Sequence, residues 1–338
     1  MNTFGMKVKA KCFIEYDSIA DLVDIEFEEL TRPVLHIGGG SNLLFTDDFK
    51  GTILHSKIDF IEILEQEEEA SSSVLVSVGA GVIFDDFCDW AAKEGLWGVE
   101  NLSNIPGEVG AAAVQNIGAY GVEVKDVIKT VYCYDTEEEE FVSFSNTDCE
   151  YGYRDSAFKD PEIKGRYIVT HVVFELSREP RPCLDYGHLK SAVEEAATSD
   201  TLTPALIRRV IIKTRKEKLP DPSVMGSAGS FFKNPVISAE HFKKIEQAAK
   251  AELGAEYEVP HYDLPDGTVK VPAAWMIERC GWKGRRSGGA AVYEKQPLVI
   301  VNYTGEAYPE EIVGLERRII ASVKDKFGVE LHPEVEHI

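Results

Sequence analysis

Residues 105–121 read IPGEVGAAAVQNIGAYG, a run of small residues that contains the neighbouring amides Gln115 and Asn116. Glycine-rich backbone can present several N–H groups to a phosphate, because no Cβ atom blocks close approach. Side-chain amides can pair with the carbonyls and nitrogens of a planar heterocycle. Close packing of a helix is the ordinary alternative for such a run. A second glycine turn, Gly38-Gly39-Gly40-Ser41-Asn42, favours the first interpretation, and together the turns predict a large, flat, phosphate-bearing cofactor.

Two common phosphate-binding motifs do not fit these turns. Gly38-Gly39-Gly40 supplies the first two glycines of G-x-G-x-x-G, but Leu43 stands at the position of the third. The residues that follow, Leu43-Leu44-Phe45, read as a strand rather than a helix, which disfavours a Rossmann dinucleotide fold. No G-x-x-x-x-G-K-[ST] segment occurs in the chain, which excludes a Walker-type NTPase.

The composition bounds the class of protein. The chain has 338 residues, of which 44% are hydrophobic and 28% are charged, as in globular proteins. Lys and Arg number 36 against 58 Asp and Glu, for a formal net charge of −22. Such a surface repels phosphate backbones and anionic lipid, so nucleic acid and membrane are disfavoured as partners. No apolar run approaches the length of a membrane span or a signal-peptide core, so we expect a cytoplasmic protein.

The metal-binding residue types are scattered. The cysteines are Cys12, Cys88, Cys133, Cys149, Cys183 and Cys280, widely spaced and without a CxxC pair. This spacing argues against structural zinc and against a disulfide scaffold. His332, Glu334, Glu336 and His337 lie close in sequence, but strand alternation would put the odd and even members on opposite faces. We therefore expect no metal site.

Short strands and amphipathic helices alternate along the chain and predict an α+β protein. We expect strands at 34–37, 74–81, 129–134 and 167–176, and a last strand near 331–335. We expect helices at 85–92, 204–218, 239–253, 272–280 and 309–326. The predicted domains are 1–66, 67–202 and 203–338.

Seven motifs, in order along essentially the whole chain, resemble those of the UDP-N-acetylenolpyruvoylglucosamine reductases. They are NTFG (2–5), GGGSNLL (38–44), IPG (105–107), QNIGAYG (115–121), YGYRDS (151–156), GSFFKNP (229–235) and PEV (333–335). Ser227 departs from the pattern, which has Asn there. The resemblance implies a noncovalent FAD enzyme of the vanillyl-alcohol-oxidase/PCMH fold, with two N-terminal α+β subdomains for FAD and a C-terminal α/β domain for substrate.

The resemblance also implies the reaction, which is the NADPH-dependent reduction of UDP-N-acetyl-3-O-(1-carboxyvinyl)glucosamine to UDP-N-acetylmuramate for peptidoglycan. Hydride addition to the β-carbon builds enolate-like charge, so the protein must stabilise that charge and protonate the α-carbon. The implied proton donor is Ser230, and the implied enolate stabilisers are Arg154 and Glu334. From the residues alone, the ordinary alternatives are a Gly-Ser turn, a surface arginine paired with Asp155, and a charge on a terminal edge strand.

The ligand-binding residues implied by the resemblance fall into two sets. Those for FAD are Gly38, Gly39, Gly40, Ser41, Asn42, Ile105, Pro106, Gly107, Gln115, Asn116, Gly118, Tyr120, Gly121 and Arg215. Those for the UDP-sugar are Tyr153, Tyr186, Lys218, Asn234, Lys283 and Gln296. Tyr186 resembles the tyrosine of the longer subtype, whose loop folds over the nucleotide. We expect a monomer in which NADPH and the UDP-sugar share one pocket.

Two other functions stay open at this point. One is an oxidase of the same flavin fold that acts on another substrate. The other is a nonenzymatic nucleotide-sugar-binding protein that has lost the chemistry. The presence of all three implied catalytic residues disfavours both.

Overall fold

The computed structural model describes residues 2–64, 72–197 and 201–338. The chain divides into two compact units. The N-terminal unit comprises Lys9–Gly40 and Asp48–Glu217, and the C-terminal unit comprises Met1–Val8, Ser41–Asp47 and Lys218–Ile338. The boundary expected between residues 66 and 67 lies outside the described residues, and the division into three domains stays a prediction.

The secondary structure mixes helices and short strands throughout. The helices are α1 (Ile19–Val23), α2 (Phe84–Lys93), α3 (Val109–Gln115), α4 (Leu189–Ala196), α5 (Pro204–Lys218), α6 (Ala239–Leu253), α7 (Ala273–Arg279) and α8 (Pro309–Phe327). The strands are β1 (Ala10–Tyr16), β2 (Val34–Ile37), β3 (Leu43–Leu44), β4 (Phe49–Ser56), β5 (Ile61–Ile63), β6 (Ser73–Gly79), β7 (Gly118–Ala119), β8 (Val122–Glu123), β9 (Ile128–Asp135), β10 (Glu140–Ser145), β11 (Tyr167–Ser177), β12 (Gly226–Ser227), β13 (Val236–Ser238), β14 (Tyr262–Asp263), β15 (Thr268–Lys270), β16 (Arg286–Ser287), β17 (Ala290–Val292), β18 (Ile300–Asn302) and β19 (Glu336–His337).

Two main sheets form the N-terminal unit. One is parallel, in the order β1-β4-β2, and the other is antiparallel, in the order β10-β9-β11-β6-β5. The central strand β11 is a nearly continuous apolar run whose side chains are mostly buried, as expected for a strand in the middle of a core. The rings of Phe87 on α2 and Phe174 on β11 lie 4.7 Å apart between centroids, which joins the helix to this sheet.

The middle of the 105–121 run is helical. Helix α3 covers Val109–Gln115. The sequence predicts open glycine-rich backbone there, so the prediction is wrong for these seven residues. A Cβ at Gly110 would lie 2.9 Å from the Cβ of Ala80. Close helix packing, the ordinary alternative, therefore explains the small residues here, while turns remain on both sides of the helix.

The C-terminal unit contains a four-stranded sheet, β12-β18-β17-β16, a three-stranded sheet, β13-β15-β14, and the helices α6, α7 and α8. Its last strand, β19, pairs in parallel with β3. The strand expected near 331–335 is displaced, because Pro333 makes only a single bridge to Phe232 and regular pairing begins at Glu336. Glu334 therefore lies in a bend and not in the interior of a strand.

Three further observations concern membranes, metals and thiols. No helix in the described ranges is both long and apolar enough to cross a membrane. In the same ranges, His, Cys, Asp and Glu do not gather in any group of three or more that could hold a metal ion. The six cysteines are free.

A buried ion pair closes one end of the antiparallel sheet. Asp135, at the end of β9, accepts two hydrogen bonds from Nε of Arg166 and one from Nη2, at 2.6–3.0 Å. We expect Asp135→Asn to lower the free energy of unfolding by about 1–3 kcal/mol, because charge-assisted hydrogen bonds are lost while the guanidinium stays half-buried. Urea denaturation at pH 7 measures this loss.

The pH dependence and a neighbouring carboxylate provide the controls. Arg166 holds the pKa of Asp135 below its ordinary value of 3.8, so the contribution of this ion pair to the free energy of unfolding is complete at neutral pH. It should disappear as the pH falls below about 4, and the variant should become no less stable than the native protein there. Glu137, which also contacts Arg166 but is 64% exposed, should change the stability by less than about 0.5 kcal/mol when replaced by Gln.

Candidate active site

The first glycine turn leaves the parallel sheet at the C-terminal end of β2. Gly40 has a φ of +64°, in the left-handed region that glycine adopts without a steric cost. A Cβ at Gly38 would lie 3.0 Å from the Cβ of Ala111 and 3.2 Å from Oε2 of Glu108. Glycine is therefore favoured at both positions, and the turn keeps the bare backbone that a phosphate-binding loop needs.

The second turn precedes helix α3 and is held by charged side chains. Asn104 has a φ of +60°, and its N–H donates to the carboxylate of Asp85 at 2.5 Å. Its carbonyl accepts a hydrogen bond from Nε of Arg215 at 3.1 Å. Gly107 follows with a φ of +125°. The segment Ile105-Pro106-Gly107 is thus fixed at both ends by backbone conformations that few residues adopt.

The two amides of the run have different surroundings. Asn116 is fully buried and caps α3 with a φ of +46°. Its Nδ2 donates to Glu123 and to the Gly152 carbonyl, and its Oδ1 accepts from the N–H of Lys125. Gln115 is half-buried, and its amide has no hydrogen-bond partner among the described residues. A contact between Asn116 and a cofactor stays a prediction, but its side chain is already used to hold the turn.

Arg154 lies against the backbone that follows these amides. Its Nη1 donates to the Asn116 carbonyl at 3.2 Å, and its Nη2 donates to the Gly118 carbonyl at 2.6 Å. Arg154 itself has a φ of +55°, and Tyr120, two residues beyond Gly118, has a φ of +49°. Non-glycine residues in this conformation cost free energy and gather at ligand sites, where the surrounding structure compensates for them.

Arg215 adds a second positive charge to the same region. It projects from α5, and burial is the main cause that lowers the pKa of its guanidinium, with a smaller contribution from the charge of Arg154. The charge of Arg215 in turn acts to lower the pKa of the nearby Tyr120 hydroxyl, although burial dominates there and raises it. Positive charge in a chain of formal charge −22 is what an anionic ligand would need.

The loop that contains Tyr186 packs on the end of the 105–121 run. The rings of Tyr186 and Tyr120 meet edge to face at 5.9 Å between centroids, although Tyr186 remains 43% exposed. Nδ2 of Asn101 donates to the carbonyls of both Tyr120 and Cys183, at 2.9 and 2.8 Å. Asn101 therefore ties the tyrosine loop to the run between Gly118 and Gly121.

In the C-terminal unit, Ser230 and Glu334 lie on two segments that pair with each other. The carbonyl of Phe231, the residue after Ser230, accepts a hydrogen bond from the N–H of Glu334 at 2.8 Å, and the N–H of Lys233 donates to the His332 carbonyl at 2.9 Å. Gly229, before the serine, has a φ of +67°. Both Ser230 and Glu334 are half-buried. The pairing therefore places the two predicted residues on adjacent segments of this unit.

Strand β19 and Asn42 fix the position of Glu334. Nδ2 of Asn42 donates to the Glu334 carbonyl at 3.0 Å, and the N–H of Glu336 donates to the Asn42 carbonyl at 3.0 Å. The Ile338 carbonyl accepts from both the N–H and the hydroxyl of Thr46 at 2.8 Å. The segment Ser41-Asn42, expected to bind cofactor, thus also holds the chain that carries Glu334.

The residues predicted for the UDP-sugar have varied surroundings. Lys218 ends α5 and is exposed, and Lys283 forms an ion pair with Glu278 at 2.8 Å. Oδ1 of Asn234 accepts from the N–H of Ala273 at the start of α7, and Oε1 of Gln296 accepts from the N–H of Leu298. Tyr153 lies beneath the guanidinium of Arg154, 5.6 Å from its ring centroid. Their roles toward substrate stay predictions.

Two residues of the site were missed from the sequence. Asn104 could have been suspected, because asparagine tolerates the left-handed conformation and here it precedes an Ile-Pro-Gly turn. Asn101 carries no such signal, because its partners Tyr120 and Cys183 are 19 and 82 residues away.

The site fits a flavin dinucleotide. The bare turn at Gly38, the guanidiniums of Arg154 and Arg215, and the half-buried amide of Gln115 suit a diphosphate and a flat heterocycle. A family model described as an FAD binding domain matches residues 10–144, which covers the first of these features. The fold and the site therefore define an FAD-dependent oxidoreductase of mixed α and β structure, as the sequence predicts.

Curated relatives identify the family. UDP-N-acetylenolpyruvoylglucosamine reductases from Bacteroides fragilis strain YCH46 and Porphyromonas gingivalis strain ATCC 33277 are 49% and 45% identical, over 100% of this chain and 97% and 96% of theirs. A second family model, the C-terminal domain of the same reductase, matches residues 221–338. The chain belongs to the UDP-N-acetylenolpyruvoylglucosamine reductase family, whose members act on a UDP-sugar in peptidoglycan precursor synthesis.

A solved structure agrees with the fold. The crystal structure of UDP-N-acetylenolpyruvylglucosamine reductase from Thermus caldophilus aligns with a TM-score of 0.65 and 23% identity, over 99% of this chain and 95% of that one. At this identity the likeness supports the shared fold.

Proposed function

We propose that this chain reduces UDP-N-acetyl-3-O-(1-carboxyvinyl)glucosamine to UDP-N-acetylmuramate with electrons from NADPH. The main support is the backbone hydrogen bond between Phe231 and Glu334, because it puts Ser230 and Glu334 on adjacent segments. Noncovalently bound FAD supplies the hydride chemistry, which protein side chains cannot perform. The side chains bind the substrate, stabilise its charge and deliver a proton.

Arg154 binds the substrate carboxylate in this proposal. The guanidinium of Arg154 has N–H donors in a rigid fork that matches a carboxylate, and it already bonds the Asn116 and Gly118 carbonyls. Those bonds fix the plane of the guanidinium before the substrate arrives. Charge-assisted hydrogen bonds strengthen as the carboxylate becomes enolate-like, so they favour the transition state over the bound substrate.

Ser230 donates the proton to the α-carbon. A hydroxyl is a weak acid, so it can serve only if the acceptor is a strong base held at a fixed position. The left-handed Gly229 and the pairing of Phe231 fix the backbone on both sides of Ser230. Glu334, held by Asn42 and β19, orients the enolate from the neighbouring segment.

Several finer assignments complete the proposal. Gly38–Gly40 and the turn before α3 bind the FAD diphosphate, and Arg215 compensates negative charge there. Tyr186, Lys218, Asn234, Lys283 and Gln296 bind the UDP-sugar. The protein acts in the cytoplasm as a monomer, and the residues 203–338 form its substrate domain.

The proposal is tested with the purified protein. We expect a yellow protein with a flavin spectrum, anaerobic bleaching by NADPH, and recovery of the colour on addition of the enolpyruvyl UDP-sugar. UDP-N-acetylglucosamine, which lacks the vinyl ether, is the matched control and should leave the flavin bleached. Recovery by oxygen alone, with no response to the enolpyruvyl substrate, would point to an oxidase instead. A protein that cannot be reconstituted with FAD would contradict both.

A further inference from the structure

A buried histidine flanked by two glutamates lies next to the first glycine turn of the N-terminal unit. His55, on the central strand β4, is fully buried. Its Nδ1 lies 2.9 Å from Oε1 of Glu15, which is its register partner on β1, and its Nε2 lies 2.9 Å from Oε1 of Glu108. We call Glu15, His55 and Glu108 the His55 triad; its Glu15 side chain is 46% exposed. The reaction proposed above gives it no role.

The geometry of the triad bears on the protonation of His55. A neutral imidazole has one N–H and can donate to one carboxylate only. Two carboxylate oxygens at hydrogen-bond distance from the two ring nitrogens therefore require a second proton. The pKa of His55 is raised, chiefly by the hydrogen bond to Glu108 and further by Glu15, while burial opposes the shift. The raised pKa favours the imidazolium form of His55, which can donate to both glutamates.

The remaining neighbours of His55 do not supply this proton. His36, on the adjacent strand β2, shares a 2.6 Å hydrogen bond with the hydroxyl of Tyr16. Burial, followed by the charge of His55, lowers the pKa of His36 to about 4, so His36 is neutral at pH 7. Burial raises the pKa of Tyr16, so its hydroxyl also stays neutral. The positive charge next to Glu108 is therefore that of His55.

Glu108 touches the glycine turn directly. A Cβ at Gly38 would lie 3.2 Å from its Oε2, and a Cβ at Gly39 would lie 3.6 Å from its Oε1. The side chain of Glu108 is only 11% exposed, so water screens its charge poorly. An uncompensated carboxylate here would repel a diphosphate bound on the turn.

We propose that His55 is a positioning residue for FAD, which neutralises Glu108 and so allows the glycine turn to hold the diphosphate. The inference rests on the proposed assignment of the FAD diphosphate to Gly38–Gly40. It explains why a histidine flanked by two acids lies at the point where the parallel sheet ends. It also predicts that a second substitution, at Glu108, can repair the loss of His55.

The test titrates apoprotein variants with FAD and follows flavin fluorescence. His55→Gln keeps a donor near Glu108 but removes the charge, and we expect its FAD dissociation constant to rise at least about tenfold. In the double variant with Glu108→Gln, the constant should return to within about threefold of the native value. An unchanged affinity in His55→Gln, or a double variant as weak as the single one, would overturn the proposal.

The pH profile gives a second readout. The imidazolium is complete below the ordinary His pKa of 6.5 and is lost as the pH rises through the raised pKa of His55. FAD binding by the native protein should therefore weaken about tenfold at high pH, and the Glu108→Gln variant should not show this step. The pH profiles of the native protein and of Glu108→Gln test the role of His55 even if His55→Gln fails to fold. An equal loss of FAD affinity at high pH in the native protein and in Glu108→Gln would contradict the role of His55. His36→Gln, at a neutral histidine, is the matched control.

A separate pair of variants tests the assignment of the diphosphate. A Cβ at Gly39 would make only ordinary contacts, so Gly39→Glu and Gly39→Gln should both fold. FAD should bind the glutamate variant at least about tenfold more weakly than the glutamine variant, because only the former adds a negative charge. Equal affinities would show that the diphosphate binds elsewhere, which is a different failure from that of His55.

Discussion

Replacing Ser230 with alanine is expected to slow reoxidation of the flavin by the enolpyruvyl substrate by roughly 10²–10⁴-fold. Reduction of the flavin by NADPH should keep its native rate in the same variant. The reason is that only the second half-reaction needs a proton at the substrate α-carbon. The neighbouring backbone conformations belong to Gly229 and Phe231, and alanine preserves them, so the loss is chemical rather than structural.

Anaerobic stopped-flow absorbance measures the two half-reactions separately. Ser322→Ala makes the same chemical change on an exposed face of α8, where the hydroxyl donates to the Arg318 carbonyl, and should alter neither rate. Glu334→Gln should slow the same half-reaction as Ser230→Ala, because both groups are assigned to the enolate. Slowing of NADPH oxidation by the same factor in Ser230→Ala would be incompatible with the role of proton donor.

The elements that were predictable from the sequence carry their own boundary signals. Helix α6 spans 239–253 as expected, because Ser238 caps it by accepting from the N–H of His241 and Gly254 follows it. Helix α5 also has its expected bounds, with Pro204 at its start and Pro220 shortly after its end. Strand β2 is a short apolar run that is broken by the glycine turn. In each case the deciding residues are neighbours in sequence.

The elements that were wrong depend on distant partners. Helix α3 packs through Gly110 on Ala80, a contact with no local signal. Strand β19 begins at Glu336 and pairs with β3, which lies about 290 residues earlier. The His55 triad is of the same kind, since His55 and Glu108 are 53 residues apart. Motifs therefore located the candidate site residues, whereas hydrogen bonds such as those of Asn116 and Arg154 required the fold.

The second large effect is expected for Arg154→Ala. Loss of its guanidinium removes the charge-assisted hydrogen bonds to the substrate carboxylate, so reoxidation of the flavin by substrate should slow by roughly 10²–10³-fold. Arginine and alanine both carry a Cβ, so the left-handed backbone at position 154 is no more strained in the variant. The variant also loses the bonds to the Asn116 and Gly118 carbonyls, and FAD affinity must therefore be measured alongside the rate.

A substrate whose carboxylate is esterified separates the two roles of Arg154. If the guanidinium acts on the carboxylate, native protein and Arg154→Ala should reduce the ester at rates within about threefold of each other, since the interaction is already absent. If Arg154 only holds the turn after Asn116, the ester should be reduced more slowly by the variant by the same factor as the natural substrate. Arg154→Lys keeps the charge but loses the rigid fork, so it should recover part of the rate with the acid and none with the ester. An unchanged reoxidation rate in Arg154→Ala would show that Arg154 does not bind the substrate carboxylate.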